Sequence, residues 1–278
     1  MEGIVIKKNA NIFTVIAGQK EYEVMPSGKT KAGGIFVGDK VEFTDSITLV
    51  KDRKNLLIRP PIANLDKMFI VVSPSPKPDF VLVDKMIVYC YLNNITPYII
   101  VNKVDMASKE FLENVNNDYS GFLKVIEVSA KEKILKDLED QIDGICALAG
   151  QSAVGKSSII NAIFNNEVTS TGNLSKKIER GKQTTRIVRL YKVGKGLLAD
   201  TAGFSLLDLN MISTIEKDEL AAYYPDFLQA RGECKYRSCL HEMGECGIIR
   251  YVKEGKISKN RYTNYLKILN EIKSSKKY

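Results

Sequence analysis

The sequence predicts an α/β domain, preceded by a small β-barrel and followed by a metal-binding helical segment. Three observations support this division of the 278 residues. Short strands fill residues 1–62, buried strands alternate with helical patterns in residues 63–210, and cysteines cluster with the single histidine in residues 211–278. Buried strands that alternate with helices are typical of a parallel sheet, and the length fits two or three domains.

The N-terminal segment contains short runs rich in β-branched and aromatic residues, separated by polar or glycine-containing turns. These runs predict strands at residues 4–6, 12–16, 22–24, 41–43 and 47–50. Such a series predicts a small barrel, either an OB-fold or an SH3-like barrel. The stiff Arg59-Pro60-Pro61 segment predicts a domain boundary near residue 62.

The central segment changes to longer apolar runs and helical spacing. Continuous apolar residues predict strands at 68–72, 98–101, 125–128, 145–149 and 196–199, with a helix over 80–93. Cys90 and Cys146 lie within apolar runs, so we interpret both as small core residues rather than ligands or nucleophiles.

A glycine-rich loop lies between the strand at 145–149 and an amphipathic helix at 158–164. It fits the pattern G-x-x-x-x-G-K-[ST], in which backbone N–H groups and the helix dipole bind phosphate. The alternative is an ordinary glycine-rich turn before a helix. In a phosphate loop, Lys156 would reach the β- and γ-phosphates and Ser157 would ligate Mg²⁺. The predicted phosphate-binding residues are Gly150, Gln151, Ser152, Ala153, Val154, Gly155, Lys156, Ser157 and Ser158.

Two further loops predict recognition of guanine. The first, Asn102-Lys103-Val104-Asp105, follows the strand at 98–101. The Asp105 carboxylate would accept hydrogen bonds from guanine N1–H and N2–H₂, which adenine cannot supply. Asn102 would either reach guanine or tie this loop to the phosphate loop. The second loop, Ser129-Ala130-Lys131, would bond guanine O6 through a backbone N–H.

Polar and basic residues 165–186 predict a mobile loop. Its Thr184 and Thr185 are candidate Mg²⁺ ligands when a γ-phosphate is present. Further along, Asp200-Thr201-Ala202-Gly203 fits Asp-x-x-Gly. In that motif Asp200 holds Mg²⁺ through water and the Gly203 N–H bonds the γ-phosphate.

The order of these motifs is unusual. GTPases ordinarily present the phosphate loop first and the guanine loops last, whereas here the guanine loops come first. Moving the chain ends in this way is tolerated where native termini lie close together. The motifs therefore predict a circularly permuted P-loop GTPase domain over residues 63–210.

Three cysteines and the only histidine fall within thirteen residues near the C-terminal end. They are Cys234, Cys239, His241 and Cys246. Three thiolates and one imidazole fit a closed tetrahedral zinc site, which would be structural because no position stays open. The alternative is a surface histidine near unrelated cysteines.

Most of the net charge of +8 comes from the residues beyond 246, which include nine Lys/Arg and only two Glu. This segment is either a solvated helix face or a contact for nucleic-acid phosphates. The sequence has no run of 18 apolar residues and no apolar N-terminal signal region, so we expect a cytoplasmic protein without a membrane span. We also expect a monomer.

The motif order together with the Cys-Cys-His-Cys cluster resembles the ribosome small-subunit-dependent GTPase family (RsgA). The resemblance covers essentially the whole chain. It implies an N-terminal OB-fold, GTP hydrolysis, and action on the small ribosomal subunit and its rRNA late in maturation. It also implies GTP at the three loops, with zinc at the four clustered ligands and Mg²⁺ at Ser157, Thr185 and Asp200.

The sequence departs from the family pattern at three points. Ala202 stands where proline is common, the spacer between His241 and Cys246 is one residue shorter, and Gln183 stands where histidine is common. Phe204 follows Asp-x-x-Gly where Ras-like enzymes carry a water-orienting Gln. Gln183 is therefore the predicted water-positioning residue, because its amide both donates and accepts hydrogen bonds. We assign the catalytic group to Gln183, Thr184, Thr185 and Lys156. Two alternatives are a non-catalytic GTP-dependent RNA-binding adaptor and an ATP-using phosphotransferase.

Overall fold

The computed structural model describes residues 1–28, 30, 34–164, 188–199, 212 and 214–275. Its strands are β1 (Glu2–Asn9), β2 (Ile12–Ala17), β3 (Lys20–Pro26), β4 (Lys40–Phe43), β5 (Ser46–Val50), β6 (Leu56–Ile58), β7 (Pro61–Ala63), β8 (Lys67–Val72), β9 (Thr96–Val101), β10 (Val125–Glu127), β11 (Ile145–Ala149), β12 (Leu190–Val193) and β13 (Gly196–Ala199). Its first four helices are α1 (Phe80–Leu92), α2 (Lys109–Tyr119), α3 (Lys136–Glu139) and α4 (Lys156–Phe164). Three more follow at Leu228–Arg231, Gly247–Lys253 and Lys259–Ser275, the last being the C-terminal helix. None of the helices in these ranges is long and apolar enough to cross a membrane.

The N-terminal strands close into the predicted barrel. Their order is β1-β2-β3-β5-β4, and all neighbours are antiparallel except β3 and β5. Gly3 permits the close approach of β1 to β2, because a Cβ there would lie 2.5 Å from Val15 Cγ1. The barrel core is small and apolar, consisting of Val5, Phe13, Val15, Val24, Ile35, Val41, Phe43 and Ile47.

A short hairpin, β6-β7, joins the barrel to the central sheet. The proline-rich segment forms its turn, and Leu57 and Ile62 on either side are buried. The Ala63 N–H donates to the Val37 carbonyl at 2.8 Å. Gly38 has a φ of +92°, and a Cβ at this position would lie 2.0 Å from the Ala63 carbonyl oxygen. The hairpin is therefore packed against the barrel rather than being a loose linker.

The central sheet has the order β10-β9-β8-β11-β13-β12. Its strands are parallel except β12, which runs antiparallel to β13. The five strands predicted for this domain are present, and the structure adds β12 and helix α2. Burial of Cys90 and Cys146 in the two cores beside the sheet confirms their prediction as core residues. In the parallel strands, the loops at the carboxyl ends of β8, β9, β10 and β11 share one edge of the sheet.

The C-terminal segment packs on α1 through its own apolar core. This core contains Val88 of α1 together with Tyr224, Phe227, Tyr265 and Ile268. An ion pair crosses the same contact, since Arg261 of the C-terminal helix bonds Asp84 of α1, and both are buried. The C-terminal segment is therefore firmly attached to the central domain.

Candidate nucleotide and metal sites

The loop after β11 has the geometry of a phosphate loop. Gly150 has a φ of +133°, and a Cβ there would lie 2.4 Å from the Val71 carbonyl oxygen of β8. The first residue of the loop therefore packs directly against the backbone of the neighbouring strand. Only glycine fits there, because any side chain would clash with that strand. Helix α4 begins at Lys156, so its N-terminal end faces the loop.

Lys156 folds back over this loop. Its Nζ donates to the carbonyls of Gly150 at 2.8 Å and Gln151 at 2.7 Å. Burial lowers the pKa of the Lys156 ammonium to about 8. The ammonium group therefore already lies at the loop when no anion is bound. A bound anion would stabilise its positive charge and offset the cost of its burial.

Asn102 joins the loop after β9 to the phosphate loop and to the loop after β10. Its side-chain amide donates to the Val154 carbonyl at 2.9 Å, and its Oδ1 accepts from the Ala130 N–H at 3.3 Å. The contact requires Gly155, whose φ is +96°, because a Cβ there would lie 2.3 Å from Asn102 Nδ2. Of the two roles that the sequence left open for Asn102, the geometry matches the tie between loops.

Lys103 makes a second connection across the phosphate loop. It adopts a left-handed backbone conformation with a φ of 63°. Its Nζ donates to the Ala153 carbonyl at 3.0 Å and the Ser75 carbonyl at 2.6 Å. Together with Lys156 and Asn102, this lysine binds the carbonyls of residues 150, 151, 153 and 154. These side-chain donors hold the carbonyls of the loop in place and so fix its backbone conformation.

Asp105 is held in place by the loop after β10. The Ser129 hydroxyl donates to Asp105 Oδ1 at 2.7 Å, and Lys131 Nζ lies 3.6 Å from Oδ2. The Ser129 hydrogen bond, reinforced by Lys131, lowers the pKa of the Asp105 carboxyl group. An ionised, fixed carboxylate at this position can accept two N–H donors from one edge of a base.

The sequence analysis missed one contact of the phosphate loop. Gln151 Oε1 accepts from the Asp79 N–H at 3.2 Å, and Asp79 is the N-cap of α1. Because the contact joins residues 72 positions apart, local sequence patterns carry no signal for it. It links the phosphate loop to the helix that holds the C-terminal segment.

Several predicted site residues lie outside the described ranges. They are Gln183, Thr184, Thr185, Asp200 and Gly203. Within the described part, the structure brings together the loop Asn102–Asp105, the loop Ser129–Lys131 and the loop from Gly150 to Lys156. Ser157 and Ser158 are exposed in the first turn of α4.

The four predicted metal ligands converge at a second, separate site. Their ligand atoms all lie within 4.8 Å of one another. Cys234 Sγ is 3.8 Å from Cys246 Sγ and 3.5 Å from His241 Nδ1, and His241 Nδ1 is 3.3 Å from Cys246 Sγ. Bond lengths of about 2.3 Å to sulfur and about 2.0 Å to nitrogen give tetrahedral edges of about 3.8 and 3.5 Å.

The protonation of His241 also suits a metal ligand. Burial lowers the pKa of the His241 imidazole to about 4, which keeps it neutral. The described cysteines are all free thiols rather than disulfide partners. Donor set and spacing together define a closed metal site of three sulfurs and one nitrogen.

Several of the basic residues near the C-terminal end form ion pairs within the protein. Arg261 is only 1% exposed and pairs with Asp84 and Asp226, so it cannot contact a partner. Arg250 and Lys273 pair with Glu233 and Glu242. Among the described residues beyond residue 246, the exposed cations that lack a carboxylate partner are Lys253, Lys259 and Lys267.

A sheet with a phosphate loop after β11, and an Asn-Lys-x-Asp loop earlier in the chain after β9, defines a circularly permuted GTPase. The family model described as RsgA GTPase matches residues 50–210. A relative from Clostridium acetobutylicum, "Small ribosomal subunit biogenesis GTPase RsgA", is 36% identical over 290 residues and 100% of both chains. A relative of the same name from Geobacillus sp. (strain WCH70) is 38% identical over 292 residues, covering 99% of this chain and 98% of its own.

Solved structures agree with these relatives. YjeQ from Thermotoga maritima matches with a TM-score of 0.81 and 31% identity over 98% of each chain. YloQ, described as a circularly permuted GTPase, matches with a TM-score of 0.82 and 28% identity over 100% of this chain and 96% of its own. The chain belongs to the RsgA GTPase family and is a GTP hydrolase. The adaptor and phosphotransferase alternatives are therefore wrong.

Proposed function

We propose that this GTPase acts in the biogenesis of the small ribosomal subunit and binds that subunit through its rRNA. The supporting observation is the likeness over the full chain to relatives named for small ribosomal subunit biogenesis. The barrel and the exposed lysines of the C-terminal segment fit a nucleic-acid partner. We also propose that the protein works as a monomer in the cytoplasm.

Three units would share this work. Residues 1–62 form the RNA-binding barrel, residues 63–210 the GTPase domain, and residues 211–278 the metal-binding helical domain. The described barrel strands all end by Val50, and the hairpin β6-β7 then leads into the central sheet. This arrangement supports a boundary near residue 62.

Guanine would bind between the loop Asn102–Asp105 and the loop Ser129–Lys131. The ionised Asp105 carboxylate would select guanine through N1–H and N2–H₂, and the Ala130 region would approach O6. Val104 begins the single 3-10 turn Val104–Met106 that follows Lys103, and it would line the base-binding site through its backbone. Asn102 would act by holding the loops together rather than by touching the base.

The phosphates would bind from Gly150 to Ser158, with Lys156 turning from the loop carbonyls toward the β- and γ-phosphates. Mg²⁺ would be held by Ser157, Thr185 and Asp200, and the Gly203 N–H would bond the γ-phosphate. Zinc would occupy the site of Cys234, Cys239, His241 and Cys246, where the ligand-atom spacing fits a tetrahedral ion.

Water positioning would fall to Gln183, in the threonine-containing loop. We expect slow hydrolysis by the protein alone and faster hydrolysis with small subunits. Single-turnover hydrolysis with and without small subunits tests this. Gln183→Ala should lose most of the stimulation and keep GTP affinity within a few-fold. Equal stimulated rates in variant and wild type would place the role on another group.

Hydrolysis would release the protein from the subunit. Contacts through Asp79 and α1 link the phosphate loop to the C-terminal segment, which supports such coupling. Coupling free energies of this kind are about 1–3 kcal/mol, or roughly 5- to 150-fold in affinity. The measurement is small-subunit affinity with GDP and with a non-hydrolysable GTP analogue. Equal affinities in the two nucleotide states would refute the coupling.

A further inference from the structure

The loop between the first two metal ligands presents an aromatic ring to solvent. Residues 235–238 are all exposed, and Tyr236 is 64% exposed. The Cys239 N–H donates to the Tyr236 carbonyl at 3.3 Å, which closes a tight turn. Because Cys234 and Cys239 belong to the metal cluster, the metal would fix both ends of this loop. A partner that binds the ring therefore meets a loop whose ordering cost is small.

Two cations flank the ring. Lys235 Nζ lies 5.7 Å from the Tyr236 ring centroid, and Arg237 follows directly in sequence. Lys235 also lies 3.9 Å from Glu245, but both side chains are well exposed, so this pair adds little stability. Among the described residues, Arg237 has no carboxylate partner.

The acidic side chains near this loop are mostly engaged elsewhere. Glu233 accepts from the Tyr251 hydroxyl at 2.6 Å and pairs with Arg250. Glu242 is 2.5 Å from Lys273 of the C-terminal helix. Because these two carboxylates are already paired, they do not neutralise the surface around Tyr236. That surface presents one exposed aromatic ring between the positive charges of Lys235 and Arg237.

We propose that Tyr236 stacks on an unpaired RNA base of the small ribosomal subunit, with Lys235 and Arg237 contacting the adjoining phosphates. An aromatic ring flanked by basic side chains matches single-stranded nucleic acid, since every base offers a π-face and every linkage a charge. Protein interfaces are also enriched in Tyr and Arg, so the experiment must separate an RNA partner from a protein partner. This inference rests on the proposed function and assigns it a contact residue.

The absence of tryptophan from the chain allows a direct spectroscopic test. Tyr236→Trp introduces a single indole, whose emission should be quenched when small subunits are added with a GTP analogue, after subtraction of subunit emission. Leu228→Trp, at a 54% exposed position that has no proposed RNA contact, is the matched control and should be quenched less. A blue shift without quenching would indicate burial against protein. Either that result or unchanged emission overturns the proposal.

Affinity measurements provide the second readout. Tyr236→Ala should weaken small-subunit binding by about 5- to 150-fold, whereas Tyr236→Phe should stay within about twofold. Arg237→Gln should reduce the slope of log affinity against log salt by about 0.7. Metal content measured on each variant checks that the loop is intact. If wild-type protein fails to bind small subunits, the proposed function fails. If it binds and Tyr236→Ala binds equally, only this inference fails.

Discussion

Asp84 and Arg261 form an ion pair that is almost completely removed from water, although 177 residues separate them. Asp84 also accepts from the Tyr119 hydroxyl at 3.0 Å and the Asn264 amide at 2.9 Å. The carboxylates of Asp84 and Asp226 raise the pKa of Arg261 despite its burial, so its charge is permanent. The guanidinium lies 4.6 Å from the ring centroid of Tyr224. The pair anchors the C-terminal helix to α1.

Breaking this pair should destabilise the whole protein. Asp84→Ala removes one of the two carboxylates that compensate the buried Arg261 charge and leaves only Asp226, so the free energy of unfolding should fall by about 3 kcal/mol. Urea denaturation measures the change. Lys109→Ala is the control, because its ion pair with Glu113 is exposed and should contribute about 0.5 kcal/mol or less. Equal losses in the two variants would contradict this account.

The same pair affects how the C-terminal segment should be tested for RNA binding. A truncation near Ala230 would remove Arg261 and Asn264 together with the helix that covers α1, and would expose Asp84 and the apolar residues around it. Loss of subunit binding by such a protein would report misfolding. Charge reversal at Lys253 or Lys267, both exposed, should instead weaken binding in a salt-dependent way while leaving the unfolding midpoint nearly unchanged.

Nucleotide binding should take up protons near pH 8. The pKa of Lys156 is about 8 in the protein alone, and bound phosphates should raise it. The nucleotide affinity should therefore be highest below pH 8, where Lys156 is already protonated. Above pH 8 it should fall by up to about tenfold per pH unit, until the pH reaches the pKa of Lys156 in the nucleotide complex. Calorimetry of GDP binding in buffers of different ionisation enthalpy measures the uptake. Proton uptake should be substantial at pH 8.5. At pH 6.5 it should be absent or replaced by release from the GDP phosphate, whose own pKa is about 6. Buffer-independent heats at pH 8.5 would exclude this role.

Asp105→Asn should change the base preference. The new amide donates toward a C2 carbonyl, so GTP should weaken and xanthosine triphosphate should gain relative affinity. The Asn oxygen can still accept from Ser129, so the unfolding midpoint should stay close to that of wild type. Competition binding with both nucleotides decides the question. Unchanged GTP affinity would remove Asp105 from base recognition.

Gly155→Ala should separate the phosphate loop from the loop after β9. The added Cβ would meet the buried Asn102 amide, and φ at +96° disfavours any side chain. We expect at least about tenfold weaker GDP binding and about 1–3 kcal/mol lower stability, because the amide loses its partner. Gly121→Ala is the control, since nothing lies within 4 Å of its added Cβ. If Gly155→Ala bound GDP with wild-type affinity, the contact between Asn102 and the phosphate loop would not be needed for nucleotide binding.

Chelation of the metal should loosen residues 234–246 more than the C-terminal helix. That helix retains its apolar core and the Asp84–Arg261 pair without the metal. Hydrogen exchange read by mass spectrometry should therefore rise sharply in the ligand loops and little in residues 259–275. Cys239→Ser should give the same pattern with metal bound at less than one ion per chain. Uniform deprotection of both segments would show that the metal supports the whole domain.

The sequence predicts most of the strands and the nucleotide loops because both have local signals. Apolar runs give the sheet, and the spacing of Gly150, Gly155 and Lys156 gives the phosphate loop. Helix α2 was not predicted, although Phe111, Leu112, Val115 and Tyr119 follow helical spacing, because the other seven of its eleven residues are polar. Long-range polar contacts were missed as well. Arg261 looked like one more solvated cation of a basic tail, and only its packing against Asp84 reveals otherwise.

The strand order also determines when each part of the site can form during synthesis. β8, β9 and β10 are successive in the chain and adjacent in the sheet, so they can pair as soon as they leave the ribosome. At that stage the Asn102 amide still lacks Val154, because the phosphate loop has not been made. Asp84 gains its guanidinium partner last, because Arg261 lies in the final helix and is synthesised near the end of the chain. The chain order therefore allows the base-binding half to form first, whereas the buried ion pair that anchors the last helix can form only at the end.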